Sequence, residues 1–433
     1  MIRHTNKLIS SSIVVVAGTI IASFFSYLFN MAMGRMLGPK EYGEFATILS
    51  LLAILSVSGG AILIIAMRYA SELYTLGQNK KLKEIYSIMI RYTLLIETGV
   101  FLLALLLIAR FSSFLLIDNK FCLTIMFFGF FVSFFYLVNK GFLQGIQKFF
   151  SLSVISTLEM IFRMIVGIAL VKVGLGISGA VGAVVLSMLL FYIVTLISLS
   201  KIFSLPNRKM TSTFSISKKE VMPYCWPAIG TSVLLAIGLN IDIILVKHYF
   251  SPEEAGMYAA ISTISKIIFY CTGPIASVMF PMVSENITKG IKHYKTFLLS
   301  LVLTVSFSVV ILGFYILAPH WIVNVLYGSS YSTAYEILPY LGVAMLFYSL
   351  INLMVNYYLV IKKFLYLWAF FLLILVQVCL IHFIHYSIII IVEIIVTSYG
   401  SLFFLMLGYY LFTKKEIINS RYRRARGIAS ALD

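Results

Sequence analysis

The chain has 433 residues, 61% hydrophobic and 11% charged, with a mean hydropathy of +1.01. Soluble globular chains carry roughly 25% charged and about 45–50% apolar residues, so this composition excludes a soluble enzyme and requires lipid as solvent. The net charge of +17, from 33 Lys and Arg against 16 Asp and Glu, would point to nucleic acid only as a patch on a soluble surface.

A crossing helix needs about 20 apolar residues, and runs of that kind recur along the chain. The first predicted span, 9–34, follows Arg3 and Lys7 in the manner of a secretory signal. It is too long for one and lacks a small-residue cleavage site, so it reads as a retained span. Spans follow at 43–67, 87–109, 121–143, 151–172 and 178–200. After a basic segment come 224–248, 256–282, 297–318, 334–360, 364–384 and 387–411. The last two divide one apolar run, Phe364 to Phe412, which carries charge only at Glu393 and is split around His382 to Tyr386. The reading is an all-α polytopic membrane protein of twelve transmembrane helices. A six-helix lobe covers 1–200, an inter-lobe linker 201–222, a second six-helix lobe 223–411 and a basic tail 412–433.

Where the charges fall explains them. With the N-terminus inside, 25 of the 33 basic residues lie in cytoplasmic segments and six in outer ones, while Arg163 and Lys266 lie within spans. The positive-inside rule then places both termini in the cytoplasm, and nucleic acid is not needed as a partner. Trp226, Trp321 and Trp368 fall near span ends, where indole favours the interface. No inter-span loop is longer than 201–222, which leaves no room between spans for a soluble catalytic domain, and no P-loop appears. Cys122, Cys225, Cys271 and Cys379 are scattered in or beside spans and read as small apolar residues.

Six spans per half allow two halves of the same orientation, and the sequence carries such a repeat. Residues 38–48, between spans one and two, match residues 251–261, between spans seven and eight, at an offset of 213. Pro39, Glu41, Gly43, Ala46 and Ile48 meet Pro252, Glu254, Gly256, Ala259 and Ile261, and Phe45 meets Tyr258. Parallel repeats place a transport path between two halves that rock against each other. Gly59-Gly60 and Gly273-Pro274 interrupt corresponding spans. They suit a hinge beside the path or the close packing that small residues permit.

Charges inside the bilayer cost about 2.5–3.5 kcal/mol each on insertion scales and are functional candidates by default. Within the spans stand Glu97, Glu159, Arg163, Asp242, Lys266 and Glu393. Glu159 and Arg163, four apart, share a helix face. They either neutralise each other or leave Arg163 to meet an anion that Glu159 positions. Lys266 has no acid at helical spacing on its own span, so its partner is another helix or a bound anion. Asp242 beside Asn240, and Glu393 with Thr397, offer oxygen ligands for Na⁺ or a protonatable group, with a packing hydrogen bond as the plainer role. Arg68 and Arg91 lie at cytoplasmic ends, where snorkelling to headgroups also accounts for them. Arg35 ends span one on the outer side against the charge trend, and a passing anionic headgroup is one thing that would hold it there.

Three patterns are set aside. Gly174 to Gly179 fits G-x-G-x-x-G but joins two spans with no acid about 20 residues on, so it is a turn. His382 and His385 have no Asp or Glu beside them to complete a metal site. Asn286-Ile287-Thr288 is a glycosylation sequon in a cytoplasmic loop.

Taken in order, Arg35 to Gly43, Leu143-Gln144-Gly145, Glu159 with Arg163, Gly179-Ala180, Asp242, Pro252 with Gly256-Met257-Tyr258, Pro274 with Phe280-Pro281, and Tyr327-Gly328 through Tyr331 to Ala334 span nearly the whole chain. In these stretches it resembles the Wzx-like O-antigen and oligosaccharide flippases of the multidrug/oligosaccharidyl-lipid/polysaccharide exporter superfamily. The resemblance implies transport of undecaprenyl-pyrophosphate-linked oligosaccharide from the cytoplasmic to the outer leaflet of a bacterial inner membrane. It implies two six-helix lobes around a cationic cavity, no cofactor beyond a coupling H⁺ or Na⁺, and a polysaccharide polymerase and chain-length regulator as partners. It further implies anion binding at Arg35, Arg163 and Lys266. A multidrug exporter of the same superfamily is the competing transport reading, and an uncoupled lipid scramblase remains open beside it. A membrane polysaccharide polymerase is the competing enzyme, but it usually carries a large outer loop that is missing here.

Overall fold

With no water to receive them, backbone N–H and C=O groups in lipid must pair within the helix itself. The computed structural model describes the backbone of residues 2–117, 119–204, 218–289 and 293–429, and the side chains within 17–117, 119–204, 226–287, 289 and 293–412. Among these residues the chain forms fifteen α-helices. The first seven are α1 (Ile2–Ser56), α2 (Gly60–Thr75), α3 (Asn79–Leu106), α4 (Ile108–Leu115), α5 (Lys120–Gly145), α6 (Phe149–Leu170) and α7 (Gly176–Phe203). Then come α8 (Lys218–Tyr249), α9 (Pro252–Ser265), α10 (Ile267–Thr288), α11 (Tyr294–Leu317) and α12 (Pro319–Tyr327). The last three are α13 (Leu338–Val360), α14 (Tyr366–Phe383) and α15 (Ile388–Ala429). Most of the predicted linker, at 205–217, the side chains of Arg3 and Lys7, and those of the predicted tail from 413 on lie outside the described residues.

Ten helical stretches among the described residues are long and apolar enough to cross a membrane. Two of them, Ala17–Thr75 and Phe149–Phe203, are long enough for two crossings each. Gly38, at φ 73°, breaks the first just ahead of Pro39, and Gly174 and Gly176, at φ 94° and 49°, turn the second. Each therefore crosses twice, which gives the twelve predicted spans. What the span count missed is α4 and α12, two short helices at the end of the molecule that is poor in basic residues.

The offset of 213 that relates Gly43 to Gly256 runs through the whole chain. It carries α3 onto α11, α4 onto α12, α5 onto α13, α6 onto α14 and α7 onto α15. The repeat is thus a property of the fold and not of one matching stretch.

The chain divides into two compact units, Met1–Ile264 with Ala318–Glu336, and Ser265–Leu317 with Ile337–Asp433. This division does not follow the predicted halves, because α8 packs along α1, and α12 packs on α1 as well. In the first unit α5 is the central helix, packed by α2, α3 and α7. A Cβ on Gly145 would lie 2.4 Å from the Met67 carbonyl oxygen, so the glycine lets α2 and α5 meet backbone to backbone. A polar staple crosses the same helix: Tyr86 donates to Asn139 at 2.8 Å, and Asn139 donates to Thr195 at 2.9 Å.

In the second unit α13 takes the central place against α10, α11 and α15, with the Tyr358 hydroxyl donating to the Met406 carbonyl at 2.7 Å. Helix α11 is patterned for lipid. Ser300, Thr304 and Ser308 face inward, while Leu299, Val302, Val310 and Phe314 project outward. Trp226, Trp321 and Trp368 are all exposed, as interfacial anchors are.

Candidate functional site

Glu159 sits on α6 with its carboxylate buried between three helices. Its Oε1 accepts from Nη2 of Arg163, one turn on, at 2.8 Å. Its Oε2 accepts from the Tyr136 hydroxyl of α5 at 2.7 Å and pairs with Lys140 Nζ at 3.5 Å. Helical spacing builds the arrangement, since Tyr136 and Lys140 are one turn apart on α5 just as Glu159 and Arg163 are on α6. Lys140 Nζ also lies 4.0 Å from the centre of the Tyr136 ring, a cation–π contact. Arg163 Nε donates to Ser187 of α7 at 3.1 Å, and Ser187 in turn donates to the Val184 carbonyl.

One carboxylate therefore faces two cations, and the cluster carries a net positive charge. The side chains are 3% exposed at Glu159, 11% at Arg163 and 26% at Lys140, so Lys140 is the cation most open to a ligand. Sequence reasoning brought Glu159 and Arg163 together but counted Lys140, near the inner end of the span 121–143, among the 25 cytoplasmic basic residues. The available signal was that Lys140 lies one turn from a tyrosine at the end of the charge-free run.

Asp242 forms a second polar centre in the same unit, buried on α8. Its Oδ2 accepts from the hydroxyls of Tyr258 at 2.8 Å and Ser262 at 3.0 Å, both on α9. Its Oδ1 is buried without a hydrogen-bond partner among the described residues. At the repeat offset these three residues answer to Phe29, Phe45 and Leu49. There the equivalent contact is an edge-to-face pair of Phe29 and Phe45 rings, 5.8 Å apart. The polar centre is thus built into one repeat alone. Asn240, expected beside Asp242, turns its amide to the Ala236 carbonyl at 2.9 Å.

Lys266 is buried where the helix breaks between α9 and α10. Glu393 and Thr397 are exposed on α15, and the Thr397 hydroxyl donates to the Glu393 backbone carbonyl at 2.7 Å. Arg68 is half-buried on α2 and Arg91 exposed on α3. Glu97 is buried on α3 with Oε2 unpartnered among the described residues.

Arg35 is held by protein. Its guanidinium donates to the Val325 carbonyl and, at 3.0 Å, to the Leu326 carbonyl, both at the C-terminal end of α12. Gly59 and Gly60 coincide with a 3₁₀ turn between α1 and α2. The matching break in the second repeat falls at Lys266, and α10 runs on through Gly273, Pro274 and Pro281. His385 Nδ1 lies 2.9 Å from the His382 carbonyl at the end of α14. No group of His, Cys, Asp and Glu able to hold a metal occurs among the described residues.

Twelve crossings in two offset-related six-helix halves, with an ion pair buried between helices, are the architecture of a multi-pass membrane protein. Solved structures share it at identities that establish the fold. A multidrug resistance MATE family transporter of the MOP superfamily in an inward-facing conformation matches with a TM-score of 0.67 at 16% identity, over 92% of this chain and 99% of that one. An outward-facing structure of such a transporter gives 0.62 at 17%, over 92% and 95%. A MOP superfamily transporter from Pyrococcus furiosus Vc1 (DSM3638), described as having a binding pocket of reverse polarity that suggests a different function, gives 0.61 at 17%, over 92% and 95%. No curated protein matches the chain. The family model described as polysaccharide biosynthesis protein matches residues 8–287, and the chain belongs to that family.

Proposed function

We propose that the protein is a flippase that moves undecaprenyl-pyrophosphate-linked oligosaccharide, an O-antigen or capsule repeat unit, from the cytoplasmic to the outer leaflet by alternating access. The observation that carries this reading is the Lys140–Glu159–Arg163 cluster, an excess positive charge held inside an apolar bundle. A pyrophosphate entering hydrocarbon needs counter-charge, while its polyprenyl tail stays in lipid. In this reading Lys140 and Arg163 receive the phosphates, and Lys266 adds charge from the second repeat. The six-helix lobes 1–200 and 223–411 are the moving bodies, with both termini in the bacterial cytoplasm. Arg68 and Arg91 hold headgroups at the entrance. Arg35, engaged with backbone carbonyls, is assigned a structural task instead. Coupling to H⁺ or Na⁺ falls to Asp242, whose buried Oδ1 has no hydrogen-bond partner among the described residues. Polymerase and chain-length regulator act downstream.

The test is leaflet-resolved detection of the lipid-linked sugar in a deletion strain complemented with variants. Lys140→Ala and Arg163→Ala should leave the substrate on the cytoplasmic leaflet at normal protein level. Full complementation by both variants would remove the binding-site assignment.

A second reading, a multidrug exporter, is favoured by the structural neighbours that are multidrug resistance transporters. Its substrates are often cationic, which the positive cluster opposes. Drug susceptibility that changes on deletion, with surface polysaccharide intact, would favour it.

A further inference from the structure

The repeat offset relates Arg35 to His248 and α4 to α12. The contacts these residues make are reciprocal. Arg35, in the first repeat, donates to the final carbonyls of α12 in the second, at Val325 and Leu326. His248, in the second repeat, places Nδ1 2.6 Å from the Phe114 carbonyl near the end of α4 in the first. Its ring stacks on Phe114 with centroids 4.5 Å apart. The last carbonyls of a helix lack intrahelical partners and form its negative end. A cationic or N–H donor placed there is a cap. Each repeat thus caps the other's short helix with the residue at the equivalent position.

Between the two caps the matching loop motifs touch. A Cβ on Gly43 would lie 2.9 Å from the Cα of Gly256, and a Cβ on Gly256 only 1.7 Å from the Pro39 carbonyl oxygen. The two equivalent glycines are what let the motifs meet backbone to backbone. Alongside, Tyr42 hydrogen-bonds Tyr327 at 2.9 Å, and Tyr331 donates to the Gly34 carbonyl at 2.8 Å. Glu44 lies 3.8 Å from Lys247. All three tyrosines are buried, and burial raises the Tyr327 hydroxyl well above its ordinary pKa, so it serves as a neutral donor and acceptor. These contacts lie at the end of the molecule that is poor in basic residues, in the loops assigned to the outside.

We infer that this pseudo-symmetric clasp is the outer gate of the transporter. Closing it joins the first-repeat motif 34–44 to the second-repeat segments 247–258 and 325–331 and seals the path from outside. Opening it requires both caps and the glycine contact to release together. The inference takes alternating access from the proposed function, but its test reads accessibility and needs no substrate, so the two can fail separately.

The experiment uses the full chain with Cys122, Cys225, Cys271 and Cys379 changed to Ser and a single reporter, Thr263→Cys. Thr263 is half-buried against the clasp, its hydroxyl accepting from the Tyr42 hydroxyl at 3.3 Å. A membrane-impermeant maleimide is applied from the outer side, and the labelling rate is measured. Arg35→Ala with His248→Ala should speed labelling by about tenfold, equivalent to roughly 1.4 kcal/mol in the gate equilibrium. Gly256→Leu should do the same by wedging the motifs apart. Arg110→Ala, an exposed arginine in the first turn of α4, away from its His248-capped end, should leave the rate unchanged. Tyr331→Phe removes one hydroxyl and provides a mild variant if the others insert poorly. It should give a smaller increase in the same direction. Labelling at the parent rate in the double-cap and Tyr331→Phe proteins, both monodisperse in detergent, would overturn the inference, as would equal acceleration by Arg110→Ala.

Discussion

Glu159 illustrates how unevenly one ion pair distributes its consequences. Removing one partner of a buried pair leaves the other charge uncompensated, at a cost of about 3–5 kcal/mol. Glu159→Gln should therefore lower the unfolding temperature in detergent sharply, because Arg163 is left almost fully enclosed. Adding Arg163→Met should recover part of that loss, and a double-mutant cycle by thermal unfolding measures the coupling. If the double variant were as unstable as the sum of the singles, the pair would not be energetically coupled. Lys140 should behave differently. It is the most exposed of the three, and half-open pairs contribute about 0–1 kcal/mol, so Lys140→Ala should barely change stability while impairing transport. A residue that matters more to function than to folding is what a ligand-facing cation should be.

At the scale of the helix, small residues decide which surfaces meet. Gly145→Leu would drive a side chain into the Met67 carbonyl region of α2, and overpacking of this kind costs about 1–3 kcal/mol or more. The expected result is a reduced monodisperse fraction by fluorescence size-exclusion. Gly60→Ala, whose added Cβ would meet nothing within 4 Å, should behave as the parent. Equal behaviour of the two would show that the α2–α5 contact is not limiting. The contrast also marks what the sequence could convey. Glycines stand out as interruptions in an apolar run, and Gly59-Gly60 does fall at a break. But Gly273-Pro274 lies inside a continuous α10, and the second break comes at Lys266, seven residues earlier. Composition marks where a helix is able to bend; packing selects the place.

For the whole molecule, lipid made much of the fold legible. Long apolar runs have no other stable state, so the twelve spans and the repeat could be read directly. The helices α4 and α12 could not, because eight or nine residues fall below a crossing length and their partners lie far away in sequence, as Arg35 does from Leu326. The motifs at Arg35–Gly43, Pro252–Tyr258 and Tyr327–Tyr331 could each be quoted but not joined, since only the folded chain brings them together. The charge cluster was half legible for the same reason: Glu159–Arg163 is local, while Lys140 reaches it from another helix.

The repeat also supplies an internal control for coupling. The two halves share one helix order, yet Asp242, Tyr258 and Ser262 occupy places that are Phe29, Phe45 and Leu49 in the first half. Packing alone does not demand the polar version, because the aromatic pair fills the same position in the first repeat. A buried carboxylate oxygen without a partner is costly, so its occurrence in one half only supports the proposed assignment of coupling to Asp242. Asp242→Asn keeps the shape and the Oδ acceptor but removes the charge. Transport in vesicles by this variant should lose its dependence on an imposed pH or Na⁺ gradient while insertion and fold persist. Phe29→Asp, placed against Phe45 and the Gly167 backbone, should destabilise the protein without creating gradient dependence, since no hydroxyls stand where Tyr258 and Ser262 do. Undiminished gradient dependence in Asp242→Asn would move coupling away from the second repeat. The exposed Glu393–Thr397 turn of α15 would then be the site to substitute.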